Sequence, residues 1–351
     1  MKETFKTNNL DLIRLFAALE VAISHSLSHL QVGNVNSLFL NFLKLFPGVP
    51  IFFFISGFLI SKSYENSIST KEYFKNRVLR IYPALIVVSI IGISSVYFSG
   101  YFNTIDVSIK KILIWFLGQT TIIQFYNPDF MREYGVGVLN GSLWTISVEL
   151  QFYIITPILY MLFKIVNNKK NNTILYSLIL ISMAIHFVYY SYKINHSELF
   201  IYKLLGVSFI PWLYMFLIGI LYQKHFISIH KLLKNKALIL TIIYISLVYI
   251  TKLQLGNGIN PILFILLTTL IFSYSYTNPS FSMKILRGND ISYGVYIYHM
   301  ILVNFFIYKG LTSDILYSII VICLTIPTAI ISWKFIEKPF INLKVKTIKD
   351  S

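Results

Sequence analysis

Residues 10–31 read LDLIRLFAALEVAISHSLSHLQ. A helix needs about 20 mostly apolar residues to cross a bilayer, and this stretch is long enough. Arg14 and Glu20 break the run, and no small-residue cleavage site follows it, so it does not read as a removed signal peptide. It reads as a retained first span that carries ionisable groups. Comparable apolar runs recur at 38–60, 81–99, 143–164, 173–191, 204–222, 237–252, 260–276, 291–308 and 314–334. The expectation is an all-α integral membrane protein, a bundle of about ten transmembrane helices. Residues 1–351 then form a single membrane domain, because no hydrophilic stretch is long enough for a second, soluble one.

Composition agrees. Of 351 residues, 56% are hydrophobic and 13% charged, against about 25% charged in a soluble domain. The mean hydropathy is +0.68. The net charge of +16 would point to nucleic acid in a soluble protein. Here it is better explained by lysines and arginines that hold loops on the cytoplasmic side. With ten spans and a cytoplasmic N-terminus, 21 basic residues fall on the cytoplasmic side and 8 on the other, Arg14 excluded. That ratio supports an even number of spans, both termini cytoplasmic and no nucleic-acid partner. Segment 109–125, IKKILIWFLGQTTIIQF, is apolar but short. It is expected in the membrane interface or re-entering the membrane, because a full crossing would invert everything after it. The single cysteine, Cys323, excludes an intrachain disulfide or a cysteine metal site. No P-loop, dinucleotide fingerprint or HExxH metal site occurs. His225 and His230 are only a weak metal signal.

Within the first span, Arg14 and His25 are eleven residues apart. That separation returns to within roughly 20° of the same helix face, with a height difference of about 16 Å. Ionisable groups at such depth are costly and mark a pathway or site by default. The plainer readings are snorkelling for Arg14 and a satisfied core histidine for His25. Glu149, in GSLWTISVELQFYIITP (141–157), opens the fourth span. Counted by rise, Glu149 and His25 lie at a similar depth below the outer face. This suggests a His25–Glu149 pair in which the carboxylate orients a general base, or else a structural tie between two helices. Arg77 and Arg80 precede the third span and suit bidentate phosphate binding, although ordinary positive-inside charge would place them there too. Ser56 and Gly57 permit close helix packing or leave room for a ligand. His299 lies in the ninth span as a core residue or a further site group. Glu337 ends the last span as a cap or a partner for a base. Segment 100–142, with Tyr101, Asn103, Gln124, Tyr126, Asn127, Asp129, Tyr134 and Asn140, could line an acceptor site.

Six segments in order, LDLIRLFAALEVAISH, GVPIFFFISGFLI, NRVLRIYP, LWTISVELQFYIITP, ISYGVYIYH and WKFIEKPF, resemble the membrane acyltransferase-3 family and cover most of the chain. The resemblance implies transfer of an acyl group, often acetyl, from cytoplasmic acyl-CoA to hydroxyls of extracytoplasmic sugars in a bacterial cytoplasmic membrane. It implies no permanently bound cofactor, with acyl-CoA and a carbohydrate acceptor as the partners beside the lipid bilayer. It places Arg14 and His25 as the essential pair of the first helix, Arg77 and Arg80 as the pair that handles acyl-CoA, and Glu149 as the acidic position of the fourth-region motif. The chain departs from many members at Leu150, where a second Glu is common, and at Lys338, where Arg is common. A fused SGNH esterase-like domain, present in some members, is not expected in a chain ending at Ser351. His25 would act as base or carry the acyl group itself. The competing reading is a non-enzymatic carrier or flippase for a lipid-linked glycan.

Overall fold

The computed structural model describes residue 5 and residues 7–33, 37–166 and 172–344. Among the described residues the chain is helical, without strands. Helix α1 is Leu10–His29, α2 Ser37–Leu45, α3 Gly48–Asn66, α4 Thr70–Ser99, α5 Ile109–Gln119, α6 Trp144–Val166, α7 Thr173–His196 and α8 Phe200–Gly206. They are followed by α9 Leu213–Lys224, α10 Phe226–Leu233, α11 Ala237–Thr251, α12 Pro261–Tyr276, α13 Phe281–Leu286, α14 Ser292–Tyr308 and α15 Ile315–Ser332. A π-helical turn, Trp333–Glu337, leads into α16, Lys338–Asn342.

Five segments are long and apolar enough to cross a membrane: Phe39–Asn66, Thr70–Ser99, Gly141–Lys164, Thr173–Lys193 and Ile315–Asn342. Two sharply bent helix pairs raise the number to seven. The chain is thus a multi-pass helical membrane protein. Three further apolar runs fall outside that count: α1 carries Asp11, Arg14 and Glu20, and α12 and α14 have only 16 and 17 residues. Segment 109–125 does not cross. Its helix, α5, has 11 residues, about 16 Å by rise against a core of about 30 Å. Ile109, Leu113 and Leu117, one turn apart, are exposed while Trp115 is buried, the one-sided pattern of a helix lying in the interface.

Local sequence explains the long helices. Ser69 caps α4 by accepting from the Glu72 amide at 3.2 Å, and Glu72 Oε2 accepts from the Ile68 amide at 3.1 Å, a capping-box arrangement. The same helix ends at Gly100, whose φ of 87° suits the left-handed C-terminal position. Helices α3 and α9 touch through glycines. A Cβ on Gly57 would lie 2.0 Å from Phe216 O, and one on Gly219 2.2 Å from Phe54 O. Gly57 is therefore a close-packing residue.

The bundle has two ends. At one lie Asn9, Arg14, Arg80 and Asp290, and Asn9 Nδ2 donates to carbonyls of Tyr274 and Thr277. At the other, Ser313 N donates to Leu30 O and Lys309 Nζ to Ser99 O. This second end carries a cap, residues 100–143. Buried Asn304 of α14 pins it, accepting from Val136 N and donating to Val138 O and Leu139 O. Asn140 Nδ2 donates to Ile297 O at 2.7 Å. Tyr101, Gln124, Tyr134 and Asn140, expected to line an acceptor site, are 0–4% exposed and hold the cap together instead. Tyr101 donates to Phe130 O, and Gln124 accepts from Ser147. Asn103, Tyr126 and Asp129 do face outward.

Candidate active site

At the first end, α1, α4 and the turn before α14 converge on Asp290. Its Oδ2 accepts from Arg14 Nη1 at 2.6 Å and from Arg80 Nη2 at 2.5 Å. Its Oδ1 accepts from the Ser292 hydroxyl at 2.5 Å and the Ser292 amide at 3.2 Å. Burial would raise the Asp290 carboxyl, but the two guanidiniums outweigh it and hold it below its ordinary value. Asp11 Oδ1 also lies 3.9 Å from Arg14 Nη1, so two carboxylates face these two guanidiniums, and the positive excess of the cleft comes from Arg77 and Lys344. Arg77, one turn before Arg80, donates to Ser63 Oγ at 2.6 Å and lies over the rings of Tyr73 and Tyr153. Its Nε is buried without a partner.

A cleft of about 860 Å³ opens here, lined by Arg14, Arg77, Arg80, Glu149, Asp290 and Lys344 among others. Burial, and then the nearby Arg80, Arg77 and Arg14 charges, push the Lys344 ammonium down to about 7. Beside it lies a second, much narrower cavity, whose walls include Thr145, Tyr293 and Tyr296. Arg14, Ser56 and Glu149 line both spaces, so the two adjoin through polar side chains. Tyr296 bonds Thr145 through its hydroxyl at 2.7 Å, and its ring lies 6.1 Å from that of His299.

His25 Nδ1 is 3.0 Å from His299 Nε2. His299 Nδ1 is 3.2 Å from the Val295 carbonyl, which only accepts, so that nitrogen carries a proton. In the neutral His299 ring Nε2 is then an acceptor, and His25 Nδ1–H is the donor. This chain of bonds leaves the lone pair on His25 Nε2, as a general base requires.

The direct His25–Glu149 pair is not formed. Glu149 Oε1 instead accepts from the Tyr153 hydroxyl at 2.6 Å, in the cleft that Arg14 also lines. Counting rise along each helix compares heights but leaves their rotation undetermined. Helix α14 packs along α1 and places His299, not Glu149, beside His25. Arg14, Arg77, Arg80 and Glu149 meet at one cleft, while His25 sits beyond it with His299. Asp290 was missed. Its sequence signal is an acid two residues before Ser292 at a helix start, which reads as an ordinary cap. Glu337 is buried and accepts from Ser332 Oγ at 3.1 Å within the π-helical turn, and its Oε2 has no hydrogen-bond partner.

Helical spans, an arginine-lined cleft, a narrow polar cavity adjoining it and a buried histidine pair beyond are the arrangement of a multi-pass membrane enzyme with its site inside the bundle. The chain belongs to the acyltransferase-3 family: the family model described as an acyltransferase domain matches residues 7–334. It is an acyltransferase. It is similar to nodulation protein 10 of Rhizobium leguminosarum bv. viciae, with 29% identity over 97% of this chain and 95% of that protein. It is also similar to the O-acetyl transferase of Shigella phage Sf6, with 28% identity over 96% of this chain and 97% of that one. No solved structure matches it.

Proposed function

We propose that this chain moves an acyl group, acetyl by preference, from cytoplasmic acyl-CoA to a hydroxyl of an extracytoplasmic or lipid-linked carbohydrate of the cell surface. In this reading ten segments cross the bacterial cytoplasmic membrane, both termini are cytoplasmic, and the Asp290 end faces the cytoplasm. The observation that carries it is the arginine-lined cleft and the cavity adjoining it at Arg14, Ser56 and Glu149, whose wall includes Tyr296, with its ring 6.1 Å from that of His299. A guanidinium cluster suits the phosphates of CoA. The height from Arg14 to His25, about 16 Å by helical rise, is of the order of an extended pantetheine arm.

Arg77 and Lys344, which form no ion pair among the described residues, take the phosphates, and Asp290 fixes Arg14 and Arg80 around them. His25 Nε2 removes the proton of a sugar hydroxyl as its oxygen attacks the thioester carbonyl carbon. The C–S bond then breaks, the imidazolium returns its proton to the CoA thiolate, and a sugar ester and free CoA leave. His299 holds the His25 tautomer throughout. Membranes containing the full chain, given radiolabelled acetyl-CoA and alkali-deacetylated surface polysaccharide of the source cell, should place base-labile label on the polysaccharide. A carrier or flippase would give none.

A further inference from the structure

At the capped end a third space of about 1120 Å³ lies between α6, α7, α8 and the turn after α11. Its walls are rings: Trp144, Tyr189, Tyr190, Tyr202 and Trp212. Residues of a membrane-interface aromatic belt stand singly against lipid headgroups. Here the buried Trp212 and Tyr189 back the part-exposed rings of Trp144, Tyr190 and Tyr202, with Trp144 packed on Trp212 at 5.2 Å and Tyr190 on Tyr189 at 5.2 Å. Polar groups face the same space. Gln254 and Asn257 are exposed amides, and Lys193 lies over the Tyr189 and Tyr190 rings at 5.6 and 5.4 Å. Lys193 forms no ion pair among the described residues. Gly258 keeps the wall tight, since a Cβ there would come within 2.4 Å of both Tyr190 and Gln254.

We infer that this cleft is the subsite for sugar rings of the acceptor, which stack on the part-exposed Trp144, Tyr190 and Tyr202 rings and turn their hydroxyls or an anionic substituent toward Lys193, Gln254 and Asn257. Flat apolar ring faces beside a few placed amides and one cation match a saccharide, whose C–H faces are apolar and whose rim is polar. The cleft also adjoins the site. Phe53, in the wall of the inner cavity, has its ring 5.8 Å from Trp212 and 6.4 Å from Trp144. One aromatic layer therefore separates bound sugar from that cavity. The inference rests on the proposed acyl transfer to carbohydrate.

The test uses full-length protein in membranes, with Tyr202→Ala and Lys193→Gln, neither of which lines the inner cavity. The probe is alkali-deacetylated surface polysaccharide of the source cell. Both variants should raise the polysaccharide KM about tenfold and leave the acetyl-CoA KM unchanged. An unchanged polysaccharide KM, or a parallel rise in the acetyl-CoA KM, overturns the subsite. Tryptophan fluorescence of the purified full chain separates the two failures. If wild type transfers no acetyl group yet polysaccharide quenches its fluorescence and not that of Tyr202→Ala, the subsite stands and the transferase reading falls. Equal quenching of both, or none, removes the subsite.

Discussion

His25 Nδ1 and His299 Nε2, 274 residues apart in the chain, meet at 3.0 Å. The contact decides which nitrogen of His25 is basic, because His299 is itself anchored to the Val295 carbonyl. A histidine thus does the orienting that a carboxylate does in many general-base pairs. An imidazole suits this place, being neutral where an unpaired buried carboxylate would be costly.

His299→Ala should lower turnover by roughly 10²-fold, the low end of what general-base catalysis contributes. His299→Gln, whose amide oxygen can still accept from His25 Nδ1, should keep more activity than the alanine variant. Rates with acetyl-CoA at matched membrane protein level check both. Equal losses in the two variants would show that His299 is not setting the tautomer.

Removing the carboxylate at Asp290 leaves two guanidiniums with only the more distant Asp11, 3.9 Å from Arg14, to offset their mutual repulsion. Asp290→Asn should cost about 3 kcal/mol, the usual scale for breaking a largely buried ion pair, read as loss of thermal stability in detergent. The folded carboxyl titrates below its unfolded value, so its stabilisation is complete above the unfolded pKa of about 4. It is lost only as pH falls through the depressed folded value. The stability gap between wild type and Asp290→Asn should therefore stay constant from pH 8 to pH 5.

Lys344, pushed down to about 7, loses its proton in the empty cleft as pH rises past neutrality. The acetyl-CoA KM of wild type should climb between pH 7 and pH 9 as one phosphate donor is lost. Lys344→Arg, cationic throughout, should flatten that climb. Parallel profiles for the two proteins would remove Lys344 from donor binding.

A methyl group at Gly57 would meet backbone, which cannot swing aside. Gly57→Ala should cost about 1–3 kcal/mol, the range for overpacking. Gly118→Ala, whose new Cβ would sit 3.7 Å from the Tyr126 ring, should leave stability unchanged. Melting of the purified variants followed by size-exclusion chromatography separates them.

Much of this architecture is legible in the sequence. All ten apolar runs are helical along most of their length, and α5 is short, as IKKILIWFLGQTT suggests. Arg14, Arg77, Arg80 and Glu149 do gather at one cleft, because each sits where its helix faces the interior. Partners were harder to see. Asp290 looks like a helix cap, and nothing local tells that Arg14 and Arg80, 276 and 210 residues away, close on it. His299 stands out in YIYHM, but its neighbour follows from the rotation of α14 against α1, which periodicity does not fix. The aromatic residues of 100–142 drew attention by composition, yet a cap needs its own core and consumed them. The aromatic cleft is instead assembled from four separate stretches between Trp144 and Gly258.

Acyl transfer in this mechanism turns on the His25 imidazole. Membranes holding His25→Ala at wild-type abundance, supplied with radiolabelled acetyl-CoA and deacetylated polysaccharide, measure it directly. The expected result is no base-labile label on the polysaccharide; labelling at the wild-type rate would exclude His25 as the base.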